Sequence, residues 1–242
     1  MSRFVIGDIH GCVDELRRLI DGLSLVPGDR VVFLGDYIDR GPASEEVVSF
    51  LISLRKKLSS VDFIFLKGNH EDMLLSYLGL EGAHGDMFTV NGGKATLASY
   101  GLVEGKFTAR DALRAMPPEH LEFYQDLQSY YLIDSFLCVH AGIHPQKPLA
   151  DQTSEDFFWI RSKFIYSSHK LPYTILFGHT PQQKVLYNLP YKVGLDTGLV
   201  YGNMLTCLEL DEKVLFQISR GKKSVHKSSV QRMWNSPAAF PR

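Results

Sequence analysis

The 242-residue sequence predicts an α/β fold, a two-sheet sandwich flanked by helices, with its chemistry at the ends of the strands. Three observations carry this. Short apolar runs alternate with amphipathic helical stretches over the N-terminal part of the chain, the pattern of βαβ units and a largely parallel sheet. After Tyr130 the runs become strand-like and are separated by short turns. Several apolar runs end in glycine beside carboxylates, amides or imidazoles, and open α/β sheets bind ligands at the carboxyl ends of their strands.

Residues 4–6 predict the first strand, running into the turn Gly7-Asp8-Ile9-His10-Gly11. Over 13–23, Leu16, Leu19 and Ile20 fall at helical spacing between Asp14, Glu15, Arg17 and Arg18, which predicts a covering helix. The unit repeats with a strand at 31–34 and the turn Gly35-Asp36-Tyr37-Ile38-Asp39-Arg40-Gly41. A helix at 44–58 follows, opened by Ser44, Glu45 and Glu46 and striped by Val47, Val48, Leu51, Ile52 and Leu54. A third round has a strand at 61–66, the turn Gly68-Asn69-His70-Glu71 and a helix at 71–80.

Asn91-Gly92-Gly93 then interrupts the pattern, and short helices are predicted at 95–100, at 109–115 and, after Pro117-Pro118, at 119–127. Residues from about 80 to 128 therefore read as a helical insert covering the site. Strands follow at 131–133, 136–139, 174–177, 184–187, 204–210 and 214–218, several paired antiparallel in a second, mixed sheet packed on the first. One domain is expected over 1–219. The stretch 220–242 lacks Asp and Glu, carries Lys222, Lys223, Lys227 and Arg232, and reads as a basic, solvated C-terminal tail, with docking to an acidic partner as the alternative.

At 45% hydrophobic and 22% charged the chain can bury a full core as a single domain. Lys and Arg number 26 against 27 Asp and Glu, so no global field recruits nucleic acid or an anionic membrane surface. Met1 leads directly into the first strand, and no apolar run approaches the roughly 18 residues that span a bilayer, so a cytoplasmic location is expected. Cys12, Cys138 and Cys207 are odd in number and far apart, which argues for buried thiols. The oligomeric state is left open by the sequence.

Asp8, His10, Asp36, Asn69, His140 and His179 each lie just beyond a predicted strand. A single such turn is ordinary, since Gly and Asp favour turns and helix caps. Their recurrence points to metal ligation. This mixed nitrogen and oxygen set suits Mn, Fe or Zn better than Mg or Ca, and it is too large for one ion. Two ions need a bridging anion, for which Asp36 is the natural residue. His84, His120, His144, His169 and His226 lack the strand-then-glycine context and read as core or surface residues.

The motifs Gly-Asp-Ile-His-Gly at 7–11, Gly-Asp-Tyr-Ile-Asp-Arg-Gly at 35–41, Gly-Asn-His-Glu at 68–71, His-Ala-Gly at 140–142 and Gly-His-Thr at 178–180 occur in one order. In that combination the chain resembles the phosphoprotein phosphatase (PPP) family of metallophosphoesterases, above all its compact bacterial and phage serine/threonine phosphatases. The resemblance implies a metallophosphoesterase-type sandwich with a dinuclear site holding two divalent ions, Mn in first place and Fe or Zn as alternatives. Asp8, His10 and Asp36 would hold one ion, and Asp36, Asn69, His140 and His179 the other. His70, held by Asp39, would protonate the leaving oxygen, and Arg40 and Arg161 would bind the phosphoryl group, with Asn69 also lining the substrate. A hydroxide shared by the ions would attack phosphorus directly. Lys67 departs from the arginine that many members carry there, which weakens a phosphate-binding role for it.

A phosphorylated protein or small phosphoester is thus the expected substrate, with serine/threonine phosphatase activity in front. A symmetrical diadenosine tetraphosphate hydrolase shares this metal site and is the alternative, against which Asp39 weighs because that enzyme type usually lacks an acid there. A non-catalytic scaffold is the remaining reading, and the complete ligand set argues against it.

Overall fold

A computed structural model describes residues 1–103 and 107–235 of the chain. Arg3–Ile6 (β1), Arg30–Phe33 (β2) and Asp62–Phe65 (β3) pair in parallel. Each is followed by a helix, Val13–Leu23 (α1), Ser44–Lys57 (α2) and Asn69–Tyr77 (α3). The insert contributes Lys94–Ser99 (α4), Ala109–Ala115 (α5) and Pro118–Gln125 (α6). Thr108 and Asp111 form a capping box at the start of α5, and Pro118 opens α6, where its missing N–H costs nothing.

The second sheet begins with Tyr130–Ile133 (β4) and Phe136–Val139 (β5). Two short helices, Ser154–Trp159 (α7) and Ser162–Ile165 (α8), precede Thr174–Phe177 (β6), Leu186–Asn188 (β7) and Lys192–Gly194 (β8). Its order is β4-β5-β6-β8-β7, with β5, β6 and β8 parallel and the edge strands antiparallel.

Met204–Glu209 (β9), Val214–Ser219 (β10) and His226–Ser229 (β11) do not join that sheet, as the sequence suggested for the first two. They return to the first one, giving β11-β10-β9-β1-β2-β3, with β9 antiparallel to β1. The reason is two-sided burial. Cys207 and Phe216 pack with Phe4, Ile6 and α1, whereas Leu208 and Leu215 face the other sheet. The basic stretch from 220 is also packed as far as it is described: Arg220 pairs with buried Glu15 (2.6 Å), β11 forms the sheet edge, and Gln231–Asn235 (α9) follows. Residues 236–242 of the expected tail lie outside the described residues.

Three apolar layers result. Val5, Val32, Leu34 and Ile64 meet Cys138, Leu176, Val193 and Leu195 between the sheets. Phe4, Ile6, Val31 and Phe33 meet Leu16, Leu19, Val47 and Leu51 under α1 and α2. Leu137, Val139, Ile175 and Phe177 meet Phe157, Phe158 and Phe164 under α7 and α8. Strands covered on both faces read as continuous apolar runs, which is why the sequence marks them so clearly.

Candidate active site

The strand ends turn sharply, and His10, Asp36, Asp39, Arg40 and His179 all sit in the left-handed region, at φ 46°, 54°, 71°, 67° and 64°. Non-glycine residues held there cost about 1–3 kcal/mol each and persist where surrounding bonds over-determine them. Those bonds are present. The N–H groups of Ile9 and His10 donate to the Asp36 carbonyl (3.1 and 2.9 Å). The buried Glu71 carboxylate accepts from the N–H groups of Asp36, Tyr37 and Gly68 (3.0, 2.8 and 3.0 Å). At the His179 turn a Cβ on Gly178 would lie 2.1 Å from Asp8 Oδ1, so glycine lets the chain pass over that carboxylate while the His179 N–H donates to it (3.0 Å).

The turns bring Asp8, His10, Asp36, Asn69, His70, His140 and His179 together, all buried. Asp36 stands at the centre, with Oδ2 3.4 Å from His10 Nε2 and Oδ1 3.3 Å from His140 Nε2. Asn69 Oδ1 lies 3.1 Å from His140 Nε2 and 2.9 Å from His179 Nδ1. Two groups of potential ligand atoms share Asp36, one with His10 and His70 and one with His140 and His179, each within 4.8 Å. Asp8 belongs to neither group and is anchored by the His179 N–H.

The protonation pattern is that of ligands. Burial pushes His10 down to about 3 and lowers His140 and His179, leaving neutral imidazoles. Burial also works against ionised Asp36, but the positive charge that His140, His70, His10 and His179 carry when protonated holds it well below the ordinary carboxylate range, so it is the imidazoles and not Asp36 that give up the proton's positive charge as pH rises. His140 Nδ1 donates to the Leu34 carbonyl (2.8 Å), so its Nε2 lone pair faces the Asp36 carboxylate, acceptor against acceptor. His179 Nε2 is buried with no protein partner. A divalent cation between such donors removes the repulsion, so these residues fit the metal the sequence implies.

His70 Nδ1 lies 2.6 Å from Asp39 Oδ2, and the other Asp39 oxygen accepts from Thr96 Oγ1 (2.6 Å). Against burial, Asp36 and the bond to Asp39 raise the His70 pKa. Arg40 is half-buried, its Nη1 2.5 Å from His10 Nε2 and its guanidinium 5.6 Å from the Tyr201 ring centroid. Arg161 is exposed at the rim, yet its charge helps lower His140 and His179. Sequence reading missed Asp196. It is buried just after β8 and is pushed up to about 6, first by burial and also by the Asp36 charge; after burial, its like charge is the foremost influence raising the Asp8 pKa. Its signal was Leu195-Asp196-Thr197-Gly198, one more apolar run ending in an acid and a glycine. Among the other histidines, His84 meets Trp159 and Glu155, His120 meets Ser49 and Tyr100, and His169 meets the Tyr191 carbonyl. Cys12 is buried, its thiol pushed up to about 12 by that burial.

The profile of the calcineurin-like phosphoesterases matches residues 1–202, which spans all of these turns. The chain belongs to the calcineurin-like phosphoesterase family. It is a hydrolase-type metallophosphoesterase of that family, whose members use divalent metal ions. An asymmetrical bis(5'-nucleosyl)-tetraphosphatase, PrpE of Bacillus subtilis (strain 168), is 28% identical over 88% of this chain and 92% of its own. The symmetrical bis(5'-nucleosyl)-tetraphosphatase of Actinobacillus succinogenes (strain ATCC 55618 / DSM 22257 / CCUG 43843 / 130Z) is 25% identical over 93% of this chain and 99% of its own. A solved structure of a candidate diadenosine tetraphosphatase is similar over 90% of this chain and 93% of its own, with a TM-score of 0.68 at 23% identity. Among the described residues no helix of this calcineurin-like phosphoesterase is long and apolar enough to cross a membrane.

Proposed function

We propose that the chain hydrolyses phosphomonoesters with poor, alkoxide-type leaving groups, phosphoserine and phosphothreonine in proteins foremost. The observation that carries this is the buried His70–Asp39 pair, 2.6 Å apart. A general acid kept protonated near neutral pH accelerates departure of an alkoxide and does little for a leaving group that is already acidic. Asp8, His10 and Asp36 would hold one divalent ion and Asp36, Asn69, His140 and His179 a second, Mn by preference. Bound there, such ions lower the pKa of water toward neutrality and neutralise phosphoryl charge. Arg40 and Arg161 would grip the phosphoryl oxygens, and His70 Nε2 would give its proton to the leaving oxygen while Asp39 holds Nδ1.

A second reading is hydrolysis of bis(5'-nucleosyl) tetraphosphates, favoured by relatives of that activity that align along nearly the whole chain. One set of assays separates the two. The Mn-loaded wild type and His70→Asn are compared on a phosphoserine peptide, an aryl phosphate and diadenosine tetraphosphate. The first reading expects peptide turnover by the wild type and a loss of roughly 10²–10⁴ in kcat for the variant on the peptide, smaller on the aryl ester, with bound metal unchanged. Turnover of diadenosine tetraphosphate without the peptide would establish the second reading, and an equal loss on all esters would remove His70 from proton transfer.

A further inference from the structure

Lys192, the first residue of β8, is fully buried against α8. Lysine is almost never placed there unless its ammonium is fully partnered. Its Nζ donates to the carbonyls of Phe164, Ile165 (3.3 Å) and Ser167 (2.6 Å), matching three donors to three acceptors, and lies 4.1 Å over the Phe164 ring. The Phe164 and Ile165 carbonyls close α8 and that of Ser167 lies two residues beyond it; the Phe164 carbonyl also accepts the Ser167 N–H (3.3 Å), so the ammonium is the added donor that gathers the three.

The same residues lead to the site. The N–H groups of Phe164 and Ile165 both donate to the Arg161 carbonyl (2.9 Å each), so α8 starts from Arg161 itself. The Phe164 ring presses on Gly142 of the His140 turn, where a Cβ would lie 2.3 Å from it. It also packs edge-on against Phe177, 5.0 Å between centroids, immediately before Gly178-His179. One ammonium therefore fixes the end of a four-residue helix whose other end carries the exposed arginine.

We propose that Lys192 is a positioning residue for substrate phosphate, setting the Arg161 guanidinium through α8 without touching the substrate. Without the ammonium, the Ile165 and Ser167 carbonyls lose the donor that ties them to the Phe164 carbonyl, and the turn holding Arg161 is free to shift. A shift of about 1 Å at a positioning group can cost up to roughly 10²-fold in rate.

The inference rests on Arg161 gripping phosphoryl oxygens, and the test separates the two claims. Lys192→Met, Arg161→Ala and the double variant are assayed with p-nitrophenyl phosphate, with inorganic phosphate as inhibitor and with bound metal measured. Lys192→Met should lower kcat/KM about 10–100-fold, mainly through KM, and weaken phosphate inhibition, with metal content unchanged. In the Arg161→Ala background it should cost nothing further. An equal loss in both backgrounds, or a Lys192→Met variant that behaves as wild type, overturns the role of Lys192 and leaves that of Arg161 standing. Arg161→Ala with wild-type kcat/KM overturns the grip and the positioning together. Should Lys192→Met not accumulate in folded form, Lys192→Gln, which keeps an amide donor, carries the same cycle with a smaller loss expected.

Discussion

Asp39 and His70 form a hydrogen-bonded pair with both side chains buried, so the pair is read most directly through pH. Asp36 and the Asp39 bond raise the His70 pKa, and burial opposes them. A proton-donating histidine is active below its pKa, so activity that depends on it is lost as pH rises through that value. Asp39→Asn removes the partner charge while an amide keeps a hydrogen bond. The His70 pKa then falls, and the alkaline limb of kcat/KM on an alkyl phosphate should move to lower pH. A profile whose limb stays in place in Asp39→Asn would detach this pair from the chemistry. The residues of this pair were legible only through the resemblance carried by the motifs at 35–41 and 68–71, because nothing in their spacing alone sets Asp39 against His70. Asp196 was not, because the strand that delivers it holds only Lys192, Val193 and Gly194 and opens on a lysine, which reads as solvated. Only the three carbonyl partners of that lysine make its burial tolerable, and those come from residues far away in sequence.

The insert holds Asp39 through Thr96 of α4 and reaches Arg40 through one turn. Gly92, at φ +109°, accepts the Arg40 N–H (3.2 Å) on its carbonyl, and a Cβ there would stand 2.7 Å from Arg40 Cγ. Gly92→Ala therefore meets both a backbone conformation that L-residues avoid, at about 1–3 kcal/mol, and a collision with the Arg40 stem. Arg40 gives way or the turn does. Either outcome should lower kcat/KM and weaken phosphate inhibition, and the strain should lower the melting temperature by about 2–12 °C at about 2–4 °C per kcal/mol. Wild-type kinetics in Gly92→Ala would show that the insert does not set Arg40. The strands at 136–139 and 174–177 and the helix at 109–115 have the ends that periodicity alone assigns them. Pairing was harder to read, because a strand's apolar pattern records that it is buried and not which neighbour buries it. That is why β9 and β10, sound as strands, were assigned to the wrong sheet. The short α7 and α8 lack enough turns to show a helical stripe.

Across the whole molecule, the donor set is drawn from both layers of the sandwich. Asp8, Asp36 and Asn69 follow β1, β2 and β3 of one sheet, while His140 and His179 follow β5 and β6 of the other. Away from the site the two sheets meet mainly through apolar packing, which is non-directional. A divalent cation shared by Asp36 and His140 would tie the layers at their ends and relieve the facing lone pairs of His140 and Asp36. The folded chain binds such ions and the unfolded chain presents no assembled site, so metal stabilises by mass action. At free metal about 100–1,000 times the dissociation constant the gain is about 3–4 kcal/mol. With about 2–4 °C per kcal/mol for a chain of this size, Mn-loaded protein should melt about 6–16 °C above chelated protein, the gap widening with Mn concentration. Ionic strength is matched in both samples, so that screening does not contribute. Asp36→Asn should shrink the gap most, because Asp36 is the residue common to both groups of potential ligand atoms. Equal melting temperatures with and without metal, in protein shown by elemental analysis to differ in metal content, would mean that the two sheets reach their packing with no contribution from the site between them.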